Sequence, residues 1–201
     1  MNFLGHCLLT QYNPEYLSGN IGGDHFKGDL SNFKTLPSHI IKGVEIHRFI
    51  DNFTDTAPQI HEVAKLFQKE GIKRISYIAS DLMLDHFISR NWSAFSAFSL
   101  NDFINIIYTK TASDLEYFPE KFKLIFEKMV RKNWLSRYKT EDGIELTLFK
   151  FSTVIPFQNN LHDTFAIYQN NQSMIDELYM DFVFNITKAV NRNFKLNVTA
   201  P

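Results

Sequence analysis

A single cysteine, Cys7, stands in a chain of 201 residues. Its isolation excludes an intrachain disulfide and any zinc site built from several thiolates, and fits a reducing compartment. An excess of charge of either sign is also lacking. The 21 Lys and Arg nearly balance 22 Asp and Glu, for a formal net charge of −1. No global basic field therefore points to nucleic acid, and the steering of a charged partner falls to local patches. Long apolar runs are absent. The opening MNFLGHCLLT has no positive region before it and meets polar residues after ten positions, too short for a membrane span or a signal peptide. We expect a cytoplasmic protein with no membrane partner. There is no glycine-rich phosphate loop, no GxSxG elbow and no β-hairpin signature, which leaves P-loop chemistry and serine or cysteine nucleophiles unsupported. Without repeats, low-complexity tracts or linkers, a single domain over 1–201 is expected. Nothing in the chain fixes an oligomeric state.

What is present is helical periodicity. Residues 39–51 carry Ile40, Ile41, Val44, Ile46 and Ile50 in a buried-stripe pattern, and 72–92 and 119–139 read the same way. After FTDTAPQIHEV a new helix begins, with Thr54, Asp55 or Thr56 available as its cap and Pro58 near its first turn. The fold class expected is all-α, a bundle of eight or nine helices.

The polar residues on these helices carry the chemistry. HRFIDNFTD places His47, Asp51 and Asp55 four residues apart, and side chains at i and i+4 rise from one helix face, where an imidazole and a carboxylate suit one divalent ion. The competing reading is a surface hydrogen-bonded pair followed by Asp55 as a helix cap. DLMLDHFISRNW puts Asp81 and Asp85 on one face, His86 about 100° further round and Arg90 one turn beyond it. Flanking Met83, Leu84, Phe87 and Ile88 imply burial, where unpaired carboxylates are costly. Asp24 in SGNIGGDHFKG and His6 in NFLGHCLL add a carboxylate and an imidazole; each also reads blandly, as a turn residue and a core histidine. Residues 120–139 hold seven Lys and Arg against two Glu. They form either a basic amphipathic surface for an acidic partner or a solvated helix.

MNFLGH, SGNIGGDHFKG, GVEIHRFIDNFTDTAP and DLMLDHFISRNW, in this order and at these intervals, resemble the acyl carrier protein phosphodiesterases. The chain departs from that family's pattern at Gly5, Leu8, His25 and Ala57. The resemblance implies an all-helical fold related to the HD-domain metal phosphohydrolases. It also implies removal of 4′-phosphopantetheine from holo-acyl carrier protein to give the apo form, with manganese as the usual activator. A divalent ion polarises a phosphoryl oxygen and lowers the pKa of its water, and mixed carboxylate and imidazole donors suit Mn²⁺, Mg²⁺ or Fe²⁺. The expected ligand pool is Asp24, His47, Asp51, Asp85 and His86. His6 and Asp81 are candidates for orienting water or protonating the departing serine oxygen, with Asp55 a further catalytic candidate. Arg48, Arg90 and Lys27 are candidates for stabilising phosphoryl charge. Arg131 and Lys132, in the densest basic stretch, together with Lys27, are the expected contacts to the carrier. The alternatives are an HD-type hydrolase of a nucleotide or other small phosphodiester, and a non-catalytic carrier-binding module.

Overall fold

Apolar residues at three- and four-residue spacing become buried helix faces throughout the computed structural model, which describes residues 1–199. Eleven α-helices follow one another: α1 (Phe3–Leu8), α2 (Leu17–Ile21), α3 (Ser38–Thr56), α4 (Pro58–Lys69), α5 (Ser76–Arg90), α6 (Leu100–Ser113), α7 (Glu120–Arg131), α8 (Trp134–Arg137), α9 (Glu141–Val154), α10 (Thr164–Asn170) and α11 (Gln172–Phe194). No strand occurs among the described residues. The expected class is all-α, and so is the chain. The count exceeds the expected eight or nine because α1, α2, α8 and α10 span seven residues or fewer, too short for a periodic pattern to stand out.

Two boundaries are corrected. The stretch 119–139 is two helices, broken where Asn133 takes a left-handed conformation with φ 45°. Helix α3 runs on to Thr56, so none of Thr54, Asp55 and Thr56 caps the next helix. The Thr54 and Thr56 hydroxyls bond back to the carbonyls of Ile50 and Asn52. Ala57 alone separates α3 from α4, which opens with Pro58 and no side-chain cap. Proline suits a first helical position because its missing N–H would have no partner there.

Helices α3 and α5 form the interior. α3 packs on α2, α4 and α11, while α5 packs on α1, α4, α9, α10 and α11. One continuous core joins Val44 and Ile50 of α3, Met83 and Phe87 of α5, and Tyr179 and Phe182 of α11. Helices α2 and α3 approach closely. A Cβ on Gly19 would lie 2.9 Å from Gly43 Cα, and a Cβ on Gly43 would lie 2.7 Å from Gly19 Cα and 2.8 Å from the Asn20 nitrogen. These glycines set how near the backbone of Asn20 can come to α3.

Gly43→Ala is accordingly expected to push the two helices apart at a cost of at least about 1–3 kcal/mol, the usual penalty of overpacking. Denaturant unfolding measures it, and an unchanged midpoint would show that the crossing is not tight.

Candidate active site

On α3 the buried stripe runs Ile40, Gly43, Val44, His47, Ile50, Thr54, so His47 occupies a core position. Asp51, one turn on, lies at the edge of the stripe with 42% of its side chain exposed. Asp55, another turn on, is exposed. The helix face thus leads from the core to solvent through an imidazole and two carboxylates.

Helix α1 supplies the second imidazole. Six residues do not make a stable helix alone, and α1 is held at its start. The Asn2 side chain accepts from the Phe3 N–H, and the two oxygens of buried Asp85 accept from the N–H groups of Leu4 (2.8 Å) and Gly5 (3.1 Å). His6 follows directly. Its ring stacks on that of His47 with centroids 4.3 Å apart. His6 Nε2 lies 3.2 Å from one Asp51 oxygen and His47 Nε2 lies 3.1 Å from the other. Nε2 of His47 also lies 3.9 Å from Asp24. Gly23 makes room for this ring, since a Cβ there would lie 2.6 Å from His47 Cβ and Cδ2.

Both rings are held from behind by one residue, Asn20. Its backbone carbonyl lies 2.7 Å from His47 Nδ1; a carbonyl only accepts, so that nitrogen carries the hydrogen. Its side-chain NH₂ donates to the His6 carbonyl (2.7 Å) and to Thr10 Oγ1 (3.2 Å). That fixes the amide so that Oδ1 accepts from His6 Nδ1, 3.2 Å away. Each neutral imidazole therefore directs a bare Nε2 lone pair at the Asp51 carboxylate. The His47 Nε2 is buried with no aligned hydrogen bond. Lone pair facing carboxylate is repulsive, so the trio calls for a proton or a cation between its members.

The proton affinities follow. Burial pulls His47 down, but Asp24 and Asp51 outweigh it and lift its pKa to about 9. Burial and the charge of His47 push His6 down to about 4. Burial raises the Asp51 carboxyl, yet the two histidines more than offset this and hold it below the ordinary carboxylate range. Asp24, 70% exposed, is held low chiefly by His47. His6, His47 and Asp51 are the one group of three metal-competent side chains that converge among the described residues. The orphaned Nε2 of His47 and the mixed imidazole and carboxylate donors fit a divalent cation.

Several expected site residues lie elsewhere. Asp85, expected as a ligand, lies outside the trio: both its oxygens accept from backbone N–H groups of α1, and burial raises its pKa to about 7. His86, also expected as a ligand, lies outside the trio too. Its Nδ1 donates to the Tyr138 carbonyl at 2.6 Å, and its ring meets Phe165 and Tyr168 edge-on. Asp81 receives the amino-terminal ammonium at 2.7 Å, and burial, together with the charges of Asp55 and Asp51, raises its pKa. Arg48 donates to the carbonyls of Phe26 and Gly28, pinning the loop that follows Asp24. Arg90 pairs with Asp176 on α11. Lys27 is exposed and pairs with Asp24 at 3.2 Å. Arg131 and Lys132 sit at the far end of α7, about 15–18 Å along the helix from its start. It is that start which borders the site: Phe122 lies 5.2 Å from the His25 ring, and the Lys121 charge acts on His25. The sequence reading missed Asn20 because an asparagine in a glycine-rich stretch carries no signal of its own. It also undervalued His6, whose pairing with His47 depends on a helix crossing.

The model of the acyl carrier protein phosphodiesterase family matches residues 1–186. Proteins named acyl carrier protein phosphodiesterase from Salmonella paratyphi A (strain ATCC 9150 / SARB42) and Salmonella agona (strain SL483) are each 30% identical over 183 residues, covering 90% of this chain and 93% of theirs. No solved structure matches. A family model spanning nearly the whole chain and relatives aligned almost end to end agree, and the chain belongs to the acyl carrier protein phosphodiesterase family.

Proposed function

We propose that this protein hydrolyses the phosphodiester joining 4′-phosphopantetheine to a serine of holo-acyl carrier protein, leaving the apo form, with a divalent metal, Mn²⁺ ahead of Mg²⁺ or Fe²⁺. The observation that carries the reading is the pair of buried imidazoles whose Nδ1–H groups are both tied to Asn20 and whose Nε2 atoms converge on Asp51. Family membership supplies the substrate class.

His6, His47 and Asp51 would hold the ion, with Asp24 at the mouth. Bound there, it supplies positive charge to a phosphoryl oxygen and a water acidic enough to act at neutral pH. The chain's own residues do the rest. By occupying Nδ1, Asn20 leaves Nε2 as the nitrogen through which each neutral ring can ligate, as the outer partners of ligating histidines do. Asp55 is exposed beyond Asp51 and stands close enough to Asp81 for their charges to interact. In this reading Asp55 takes the proton of the attacking water. The water oxygen bonds to phosphorus as the P–O bond to serine breaks; the proton taken by Asp55 passes to the serine oxygen, and the phosphate leaves on 4′-phosphopantetheine. Lys27 and Lys121, exposed at the rim, attract the anionic arm; at low ionic strength this steering is strongest.

Incubation of holo-carrier protein with this protein and Mn²⁺ is expected to produce the apo mass. Asp51→Asn is expected to abolish the conversion while retaining the helical circular dichroism. Unaltered holo-carrier with fully metallated protein would refute the substrate.

Metal affinity has a defined pH dependence. Below about 9 the His47 proton competes with the ion, so affinity for Mn²⁺ is expected to rise roughly tenfold per pH unit between 6 and 8, with one proton released per ion. His6, at about 4, is already neutral there. Equal affinity at pH 6 and 8 would show that His47 is not a ligand.

Asn20→Ala is expected to weaken Mn²⁺ binding about 10–100-fold and to let His6 populate both neutral tautomers, visible in imidazole nitrogen NMR of the metal-free protein. The wild-type tautomer ratio in this variant would deny Asn20 its positioning role.

A further inference from the structure

Between α8 and α9 lies a slot of about 200 Å³ that plays no part in the chemistry above. α8 and its C-cap turn Trp134, Arg137 and Tyr138 into it, spaced i, i+3, i+4, and α9 turns in Thr147, Lys150, Phe151 and Val154, spaced i, i+3, i+4, i+7. Residues at these spacings share a helix face, so two amphipathic faces meet across a gap that neither fills. The walls are aromatic and aliphatic, and the cations stand at the rim. Lys132 is near enough to act on Lys150. Partial desolvation, then the charges of Arg137 and Lys132, lower the Lys150 ammonium below its ordinary value. Among the described residues none of these three cations forms an ion pair, and no carboxylate lines the slot. Val154 is 74% exposed and Phe149, next to Lys150, is 57% exposed, so apolar surface continues out of the slot beside the charges.

We propose that this slot binds a free medium-chain carboxylate, with its head at Arg137 and Lys150 and its tail among Trp134, Tyr138, Phe151 and Val154. Unpaired like charges repel one another, and an anion relieves them. Apolar walls are better covered by hydrocarbon than by water. Only a molecule with both parts does both. An inorganic anion would leave the aromatic wall wet, and a chain held in a thioester has no charge at its head to meet the cations. The volume is below the usual range of about 300–1,000 Å³ for ligand pockets, which favours a medium chain over a long one and excludes a two-chain lipid. One wall reaches toward the hydrolytic site: Tyr138 Oη lies 3.3 Å from the side-chain nitrogen of Asn2, the cap of the helix that carries His6. Binding at the slot does not rest on the hydrolase reading and is tested without substrate.

Decanoate, titrated below the concentration at which it self-associates, is expected to change the tryptophan fluorescence saturably. The chain has two tryptophans, and Trp134→Phe should remove the change, since Trp92 is buried away from the slot. Val154→Glu places a carboxylate at an exposed position where folding is not at stake, and should weaken decanoate about tenfold or more. Arg137→Gln with Lys150→Gln should reduce decanoate to the affinity of decanol, by the loss of charge-assisted hydrogen bonds. Absence of a saturable change, or equal affinity in the folded Val154→Glu protein, would overturn the proposal. Binding to anionic phospholipid vesicles without binding to decanoate would reassign the face to a lipid surface. A Val154→Glu protein that sediments as a smaller species than wild type would reassign it to a second copy of the chain.

Discussion

The site depends on one close crossing. Gly19 and Gly43 let α2 lie against α3 with backbone nearly touching backbone, and Asn20, next in sequence, thereby brings its carbonyl within 2.7 Å of His47 Nδ1. The same residue turns its amide toward α1 and holds His6 by both ring and carbonyl. A buried hydrogen bond is worth only about 1 kcal/mol net, but a buried donor or acceptor left unpaired costs more. The geometry is therefore enforced by the penalty of alternatives rather than by the strength of any one bond. Three short segments, from α1, α2 and α3, are fixed to one another at the point where two imidazoles must face one carboxylate.

Burial sorts the carboxylates into different tasks. Asp85 is completely buried and spends both oxygens on the first amides of α1, where the exposed N–H groups of a helix start favour a negative partner. Asp51 is half exposed and keeps its oxygens for the histidines. Asp24 and Asp55 lie further out. A gradient from core to solvent thus separates the carboxylate that builds the helix carrying His6 from those that can meet an ion or a substrate. The cations divide similarly. Arg48 and Arg90 hold loop and helix in place, and Lys27 and Lys121 are left exposed at the rim.

Much of the fold was legible from side-chain spacing. The helical class, the α3 stripe and the proximity of His47 to Asp51 all follow from a period near 3.6 residues per turn, because that relation is internal to one helix. The limits of α3 were not legible. Thr54, Asp55 and Thr56 are all good capping residues, yet the buried face continues to Thr54 and the helix with it. Tertiary burial outweighs local capping preference there. The split of 119–139 turns on one left-handed residue, Asn133, which no periodic pattern announces.

For the site the division is sharper. Sequence alone determined which residue types are available and that His47 and Asp51 share a face, since i and i+4 neighbours are bound by helix geometry. Only the tertiary structure decided that His6 joins them while Asp85 and His86 do not. In sequence, Asp81, Asp85 and His86 carry the same kind of donors as His6 and Asp51. What distinguishes them is the partner each meets across the core: the backbone amides of Leu4 and Gly5 for Asp85, the backbone carbonyl of Tyr138 for His86, and the side-chain amide oxygen of Asn20 for His6. Those partners lie 14 to 81 residues away in sequence. Their choice is made by how α1, α2 and α8 pack around α3 and α5, a relation that no single helix's pattern contains.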